Sequence, residues 1–321
     1  MVVWYSSPVS VITFIMAKLD TTVCGVQFQN PFVLPSGIIT ETTEHKRAVE
    51  GGFGGVILKS LTFERREGNP LPRMWKFDAG LINSVGLRNA GIEEGSQEVG
   101  EFIKTYGTQT PIIVSLFATK IKEFLYLVEK IVPLAPVAIE LNLSCPNVDD
   151  EFGKPLGMDK GAAGQIVEEV KKISGSVPVW AKLSPNVPNI VEIAKACEAS
   201  GADGITAINT AGPGMIIDIK KRKPIIGAKM GGVSGPALFP IALRCVYEIY
   251  EAVKIPIIGM GGVSTVTDVV QMLMAGSALV GVGTITYTKG MKVIPELKQQ
   301  LSDYMDQNSI TDIKELIGVA H

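Results

Sequence analysis

A single cysteine, Cys145, lies between two asparagines in the stretch AIELNLSCPNV (residues 138–148), directly after a run typical of a buried strand. A thiol can act as a general base if its loop closes over a substrate and its pKa suits the working pH. The carboxamides of Asn142 and Asn147 both donate and accept hydrogen bonds, which suits a planar ligand with amide groups. The stretch therefore indicates either a structural thiol at a strand end or a base between two ligand-binding side chains.

Two lysines, Lys59 and Lys182, interrupt runs that are otherwise apolar. A lysine is rarely buried unless it is paired. A flavin ring would give these lysines a role, because its reduced form carries negative charge near N1 and O2. A lysine that reaches the rim with its ammonium group is the alternative. Asn83 and Asn209 add two more carboxamides at loop positions, and four such residues together favour ligand binding over turns and caps alone.

Glycines follow the last two apolar runs of the chain, in GMGGVS (259–264) and GVGT (281–284). In barrels, the loops after strands seven and eight often bind phosphate, because glycines let backbone N–H groups approach an anion. Tight turns between strand and helix would explain either segment alone. The two together favour a phosphate site.

Eight short apolar runs, six of which contain or directly precede these polar residues or glycines, alternate with segments of helical periodicity. The runs cover residues 32–37, 55–60, 111–118, 138–144, 177–184, 204–210, 256–263 and 278–284. Apolar strands alternating with helices predict a parallel sheet covered on its outer face. Eight units over roughly 250 residues match an α/β fold of the (β/α)₈ TIM-barrel type, and a doubly wound open sheet is the alternative. Thr267 and Asp268 could cap the helix after the seventh run.

Three further segments complete the expected architecture. Segments 61–91 and 146–160 follow strands two and four, so they are expected as loop insertions over the C-terminal face of the barrel. Residues 1–15 are apolar, but they lack a basic region and are too few to span a bilayer. We therefore expect an N-terminal extension outside the fold, then a hairpin, and a single barrel domain over residues 16–321.

The composition excludes several classes of function. Lys and Arg total 30 against 32 Asp and Glu, a net charge of −2, which argues against a nucleic-acid binder. Four cysteines without a CxxC pair favour a reduced, cytoplasmic protein over a disulfide framework or a zinc site. Only two histidines are present, His45 and His321, so acid–base chemistry must use another side chain and no metal site is expected.

Several motifs resemble the class 1 dihydroorotate dehydrogenases from about residue 17 to the C-terminus. They are ELNLSCPNV, NSVGLRNAG, AKLSPNV, ADGITAINT, GGVSGPALFPIALR and IPIIGMGGV. The stretch INTAGPGMIIDIKKRKPIIGAKMGGVSGPA resembles the class 1B, archaeal-type branch. The resemblance implies an FMN-containing barrel that oxidises (S)-dihydroorotate to orotate in pyrimidine (UMP) biosynthesis.

The same resemblance implies roles for individual residues. Cys145 would remove a proton from C5 of dihydroorotate while a hydride passes from C6 to flavin N5, and Lys182 would lie beside flavin N1 and O2. The implied substrate-binding residues are Lys59, Asn83, Gly86, Leu87, Asn142, Asn147, Asn209 and Thr210. The implied FMN-binding residues are Ser36, Gly37, Lys59, Ser60, Asn142, Lys182, Gly235, Gly261, Gly262, Gly283 and Thr284.

Resemblance to class 1B also implies partners. A homodimer core would pair with a second subunit that bears FAD and a 2Fe–2S cluster and passes electrons to NAD⁺. This chain has no cysteine cluster for an iron–sulfur centre, so those cofactors would belong to another chain. The membrane-bound, quinone-using class 2 has serine as base, so a cysteine implies no membrane association. Val85 and Arg88 depart from the class 1A pattern, which leaves open the pocket wall and the electron acceptor.

Three alternatives remain at the level of sequence. A dihydropyrimidine dehydrogenase-type enzyme would oxidise dihydrouracil or dihydrothymine with the same cysteine, but Lys59 with Asn83 suits a carboxylate that uracil lacks. A tRNA-dihydrouridine synthase-like enzyme disagrees with the near-neutral charge. A non-catalytic flavin-binding barrel would leave Cys145 without a function.

Overall fold

Eight parallel strands close into a barrel in the computed structural model, which describes residues 17–144 and 159–321. The strands of these two segments are β1 (Thr21–Val23), β2 (Val26–Phe28), β3 (Phe32–Leu34), β4 (Gly55–Ile57), β5 (Met74–Phe77), β6 (Gly80–Asn83), β7 (Ile112–Leu116), β8 (Ala138–Asn142), β9 (Val179–Leu183), β10 (Gly204–Ala207), β11 (Ala211–Gly214), β12 (Ile217–Asp218), β13 (Lys223–Pro224), β14 (Gly231–Ser234), β15 (Ile257–Met260) and β16 (Ser277–Gly281).

The helices of the same segments surround the barrel. They are α1 (Lys46–Glu50), α2 (Ile92–Tyr106), α3 (Ile121–Ile131), α4 (Lys160–Ile173), α5 (Ile190–Ala199), α6 (Phe239–Ala252), α7 (Val266–Met274), α8 (Thr286–Lys289) and α9 (Val293–Gln307).

The barrel order is β3, β4, β7, β8, β9, β10, β15 and β16, with β16 pairing back onto β3. All eight predicted strands are present and the TIM barrel is confirmed, whereas the open-sheet alternative is wrong. Each strand is shorter than its apolar run, because the last residues of the run already belong to the loop on the C-terminal face. Lys59 and Ser60, for example, follow the end of β4 at Ile57.

Alternation along the strands separates two apolar cores, as the period of two residues requires. Val56, Ile139 and similar positions face outward and pack against the helices. Ile57 and Trp180 face the barrel axis and form the lower half of the interior. The β1–β2 hairpin closes this end, because the fully buried Phe28 packs into the same interior cluster. The predicted N-terminal hairpin therefore acts as the plug of the barrel floor.

The insertion 61–91, expected as a loop, contains two strands. β5 and β6 form an antiparallel pair, and β6 pairs with β14, which pairs with β11, so the four strands make a small sheet. A second pair, β12 and β13, forms a hairpin in the chain between β11 and β14. The sheet covers part of the C-terminal face and supplies one wall of the main cavity.

The cap of α7 differs from the sequence-based expectation. Thr265 is the N-cap, and its hydroxyl oxygen accepts a hydrogen bond from the backbone N–H of Asp268 at 3.2 Å. The Asp268 carboxylate accepts from the N–H of Thr265 at 2.9 Å, completing a capping box. The helix begins at Val266, so the expected cap at Thr267 is wrong, whereas the expected role of Asp268 in the cap is confirmed.

Two predicted segments lie wholly or mostly outside the described residues. The predicted extension 1–15, and all but the last two residues of the insertion 146–160, lie outside the described residues. None of the helices in the described part of the chain has the length and apolar character needed to cross a membrane. The single-domain assignment over residues 16–321 stays a prediction.

Candidate active site

A cavity of about 550 Å³ opens at the C-terminal ends of the barrel strands. Its floor is built by the ends of β8 and β9 and by the loops after β3, β4 and β10, while β6 and β14 of the antiparallel sheet form one wall. A larger, more open depression of about 700 Å³ lies beside residues 62–69, where exposed side chains such as Arg65 and Glu67 line it. The smaller cavity is the candidate site, because buried charged groups reach it.

Most of the predicted site residues meet in this cavity. Those that line it are Ser36, Gly37, Lys59, Ser60, Asn83, Gly86, Leu87, Asn142, Lys182, Asn209, Thr210 and Thr284. Gly235, Gly261, Gly262 and Gly283 do not line it. Cys145 and Asn147 lie outside the described residues, whereas Ser144, the last described residue before them, lines the cavity.

The ammonium group of Lys182 is buried beside a carboxylate. Lys182 is on β9 with 4% of its side chain exposed, and its Nζ lies 3.7 Å from Oε1 of Glu140 on β8, which is fully buried. Both side chains face the interior. Lys182 lies two residues after the interior residue Trp180, and Glu140 lies two residues before Asn142, which lines the cavity, so each pair shares one face of its strand. Lys59 is also buried, at 9% exposure, and lines the cavity from the loop after β4.

Hydroxyl groups link Glu140 to the rim of the cavity. Ser115 on β7 donates a hydrogen bond to Oε1 of Glu140 at 2.9 Å. The hydroxyl of Ser60 lies 2.9 Å from that of Ser115 and 3.2 Å from that of Ser36. Asn142 donates from Nδ2 to the Ser60 hydroxyl at 3.3 Å. Four neighbouring strands, β3, β4, β7 and β8, are thereby joined by one chain of polar contacts, which fixes the side chains that face a ligand.

Ser144 ties two of the predicted carboxamides together. Its hydroxyl donates to Oδ1 of Asn142 at 2.6 Å and accepts from Nδ2 of Asn209 at 2.5 Å. Oδ1 of Asn209 also accepts from the backbone N–H of Thr210 at 2.8 Å. These contacts determine the orientation of both amides, so the ends of β8 and β10 are coupled directly before Cys145 in the sequence.

The glycines behind the cavity allow three loops to approach closely. Gly235 and Gly262 have φ angles of +99° and +78°, which disfavour residues with a side chain. A β-carbon on Gly262 would lie 2.7 Å from the carbonyl oxygen of Gly235, and one on Gly235 would lie 3.3 Å from Cγ2 of Thr284. The loops after β14, β15 and β16 therefore meet here, in the region where barrels often bind phosphate.

Residues 18–305 match the family model described as dihydroorotate dehydrogenase. This match covers most of the chain and all eight barrel strands. The chain belongs to the dihydroorotate dehydrogenase family. The family and the oxidoreductase class predicted from the motifs are confirmed.

Relatives within this family share similar identity with the chain. The catalytic subunit of dihydroorotate dehydrogenase B (NAD(+)) from Geotalea uraniireducens is 39% identical over 302 residues, covering 94% of this chain and 97% of that protein. The subunit of the same name from Pyrococcus horikoshii is 40% identical over 303 residues, covering 94% and 97%. That from Desulforamulus reducens is 41% identical over 294 residues, covering 91% and 95%. The predicted likeness to the class 1B branch is confirmed.

Dihydroorotate dehydrogenases are flavin-dependent, and the described residues fit a flavin. The cavity volume falls within the range of about 300–1,000 Å³ that ligand pockets occupy. Lys182 supplies a buried ammonium group, Asn142 and the linked serines supply neutral hydrogen-bonding groups, and the glycine cluster lies next to Thr284, which lines the cavity. These groups fit the polar, imide-like edge of a flavin ring.

Sequence reasoning missed several residues of this dihydroorotate dehydrogenase site. Glu140 is a charged residue in an apolar run, two positions before Asn142 and therefore on the same face of the strand. This pattern could have identified it from the sequence. Asn186 belongs to the motif AKLSPNV and holds the neighbouring loop, because its Oδ1 accepts from the N–H of Gly212 at 2.8 Å. Ser115 and Ser144 gave no signal, since isolated serines in or after strands are common.

Proposed function

We propose that this protein is the FMN-containing catalytic subunit of an NAD-linked dihydroorotate dehydrogenase, which oxidises (S)-dihydroorotate to orotate in pyrimidine biosynthesis. One observation carries the proposal: two buried lysines and three asparagines from separate strand ends converge on one cavity beside a glycine cluster. Family membership supports the reaction, and the spacing of these groups supports the arrangement of cofactor and substrate.

The FMN-binding residues would divide between ring and phosphate. Ser36, Gly37, Ser60, Asn142 and Lys182 would contact the isoalloxazine ring, with the Lys182 ammonium at the N1–O2 edge. The residues proposed for the phosphate end are Gly235, Gly261, Gly262, Gly283 and Thr284. When bound, FMN supplies the hydride-accepting chemistry. The buried positive charge of Lys182 supports this orientation, because it favours a ring that gains negative charge at that edge.

Substrate recognition would combine a charge with directional amides. The nearly desolvated ammonium of Lys59 suits the carboxylate of dihydroorotate, since charge-assisted hydrogen bonds are stronger than neutral ones. The carboxamides of Asn83, Asn142, Asn147 and Asn209 would pair with the ring amides, and Thr210 would add a hydroxyl. Gly86 and Leu87, in the loop after β6, would form the wall over the ring.

Cys145 would act as the general base that removes the C5 proton. It follows Ser144 directly in the sequence, and Ser144 is held by Asn142 on β8 and by Asn209 after β10. This anchoring supports a defined starting point for the segment that carries the thiol. No histidine takes part in the proposal: His45 is buried in the turn before α1, and His321 is the C-terminal residue.

Assembly with other subunits forms part of the proposal. The relatives are named catalytic subunits, which supports a second subunit carrying FAD and a 2Fe–2S cluster that passes electrons to NAD⁺. A homodimer core is supported by a set of exposed apolar side chains, two of which, Met74 and Met230, line the cavity. We call this set the apolar rim: Leu71, Met74, Trp75, Met215, Ile217, Ile219 and Met230. A cytoplasmic location without nucleic-acid or membrane partners completes the proposal.

Ligand binding tests the proposal without turnover. The purified protein should release FMN when denatured, and orotate should shift the absorbance spectrum of the bound flavin. Uracil lacks the carboxylate and should bind at least about tenfold more weakly, given the usual contribution of a hydrogen bond to a charged group. Equal or tighter binding of uracil would contradict the assignment and favour a dihydropyrimidine dehydrogenase-type enzyme.

A further inference from the structure

The carboxylate of Glu140 is buried in the barrel interior, where removing a charge from water costs free energy. The side chain has no exposed surface and lies on β8, facing the barrel axis. Oε1 accepts a hydrogen bond from Ser115 and lies 3.7 Å from Nζ of Lys182, while Oε2 has no hydrogen-bond partner among the described residues. Replacing a buried ion pair by apolar residues is often neutral or stabilising, so stability alone gives a weak reason for this carboxylate.

The surroundings identify Lys182 as the group on which Glu140 acts. Across β9 and β10, Lys182 lies beside Thr206, and across β8 it lies beside Asn142, both of which are neutral. Lys59 and Tyr287 are the further ionisable groups lining the cavity within the described residues. Tyr287 donates its hydroxyl to the carbonyl oxygen of Ile38, and burial raises its pKa. Glu140 is therefore the carboxylate in ion-pair contact with the lysine.

We propose that Glu140 is a positioning residue, whose carboxylate keeps the ammonium of Lys182 charged and fixed toward the cavity. The inference rests on the proposed function, in which the N1–O2 edge of the flavin faces this lysine. Without Glu140, the ammonium would be buried beside neutral groups, and burial favours the uncharged form of a lysine. The positive charge at the flavin edge would then depend on pH.

Sulfite binding to the oxidised flavin reports this charge without turnover. The sulfur lone pair forms a bond to N5, and the displaced π electron pair leaves negative charge at N1 and O2, so neither an oxidant nor a reductant is consumed. A positive charge at that edge stabilises the adduct. The measured quantity is the dissociation constant of sulfite in a variant divided by that of the wild type, from about pH 6 to about pH 9.

Glu140→Gln preserves the shape of the side chain and removes its charge. We expect the ratio to rise with pH by up to about tenfold per pH unit, the limit for uptake of one proton on binding. The ratio should stay flat for Glu101→Gln, which removes an exposed carboxylate from α2. A second control divides the dissociation constant of the double variant Glu140→Gln with Lys182→Met by that of Lys182→Met alone. This ratio should also stay flat, which shows that the pH dependence comes from Lys182 and not from Cys145 or Tyr287. A flat ratio for the single Glu140→Gln variant would overturn the inference, as would a uniform tightening of binding, which is the sign of direct charge compensation.

A second measurement uses the flavin-free protein and is independent of the proposed function. If Glu140 and Lys182 form a mutually stabilising ion pair, each single variant leaves a buried charge unpaired and lowers the thermal unfolding midpoint by several degrees. In the double variant Glu140→Gln with Lys182→Met, the fall in the unfolding midpoint should be at most half of the sum of the two single falls. Additive losses would overturn the inference, even if Glu140→Gln folded too poorly for sulfite titration. Failure to bind FMN would contradict the proposed function and leave this cycle as the decisive test of the pair.

Discussion

The site depends on a few residues whose types conflict with their surroundings. Lys182 and Glu140 are ionisable side chains inside an apolar barrel, and each is tolerated because the other lies 3.7 Å away. Asn142 and Asn209 are carboxamides whose orientation is determined by a single serine hydroxyl, that of Ser144. At the scale of residues, the chemistry depends on which polar atoms already have hydrogen-bond partners within the protein and which can still bind a ligand.

The role of Cys145 gives the first prediction. Cys145→Ser replaces the thiol by a hydroxyl, a far weaker acid that provides little of the basic form near neutral pH. We expect turnover of dihydroorotate to fall by about 10²–10⁴-fold near neutral pH, the usual contribution of a general base. The flavin absorbance spectrum should be retained, which serves as the control for folding. Turnover at the wild-type rate would show that another group removes the proton.

His45 gives a prediction for the pH dependence of stability. Its Nδ1 donates to the carbonyl oxygens of Glu41 and Thr42, and burial lowers its pKa from 6.5 to about 4. Between those two values the unfolded chain binds a proton that the folded chain does not, so stability falls as the pH drops from 6.5 to about 4. The full effect is about 3 kcal/mol, from about 1.4 kcal/mol per pKa unit.

Urea denaturation measured along this pH range checks the prediction. The variant His45→Gln lacks the titrating ring but keeps a polar side chain, so the carboxylates shared by both proteins cancel in the comparison. The free energy of unfolding should decline more steeply with falling pH in the wild type than in His45→Gln. Parallel curves would mean that His45 accepts a proton in the folded state as readily as in the unfolded chain.

At the scale of elements, the barrel follows from the local pattern and the small sheet does not. Each barrel strand is an apolar run followed by a helical segment. Except after β4, β8 and β10, where insertions intervene, both signals lie within about 30 residues. The pairing of β6 with β14 joins residues about 150 positions apart, and no local periodicity indicates it. The same limit explains the overlooked ion pair, because the neighbourhood of Glu140 and Lys182 depends on the register between β8 and β9. Lys182 itself was predictable, since its type alone conflicts with its strand.

The capping box of α7 gives a prediction at this scale. Thr265→Ala removes the hydroxyl oxygen that accepts from the N–H of Asp268, so we expect a loss of about 1 kcal/mol in the free energy of unfolding. Thr267→Ala, two positions along, lies inside the helix and should change stability by less than about 0.5 kcal/mol. Urea denaturation of both variants is the measurement. An equal loss in the two variants would contradict the cap assignment.

At the scale of the whole molecule, the exposed apolar side chains are unevenly distributed. Seven of the eleven large exposed hydrophobic side chains of the described residues belong to the apolar rim. Its two segments are joined by a hydrogen bond from the N–H of Gly227 to the carbonyl oxygen of Pro72 at 2.8 Å. Clustered apolar surface of this kind marks protein contacts. Met74 and Met230 of the rim also line the cavity, so assembly and ligand access concern neighbouring surfaces.

Substitution in the rim gives a prediction for assembly. Ile219, with 84% of its surface exposed, is the most exposed member. We expect the wild-type chain to be a dimer by light scattering and Ile219→Glu to shift it toward the monomer at micromolar concentration. Val319→Glu, at an exposed apolar position near the C-terminus, should leave the dimer unchanged. A dimer insensitive to Ile219→Glu would place the contact elsewhere on the surface.

Anaerobic reduction of the bound flavin by dihydroorotate tests the central claim most directly. The oxidised protein is mixed with one equivalent of dihydroorotate without an electron acceptor, and in parallel with dihydrouracil. The account predicts that the flavin absorbance bleaches with dihydroorotate, that orotate appears in equal amount, and that dihydrouracil leaves the spectrum unchanged. Later addition of NAD⁺ should restore the colour only when the partner subunit is present. Bleaching by dihydrouracil alone, or no bleaching by dihydroorotate, would contradict the account.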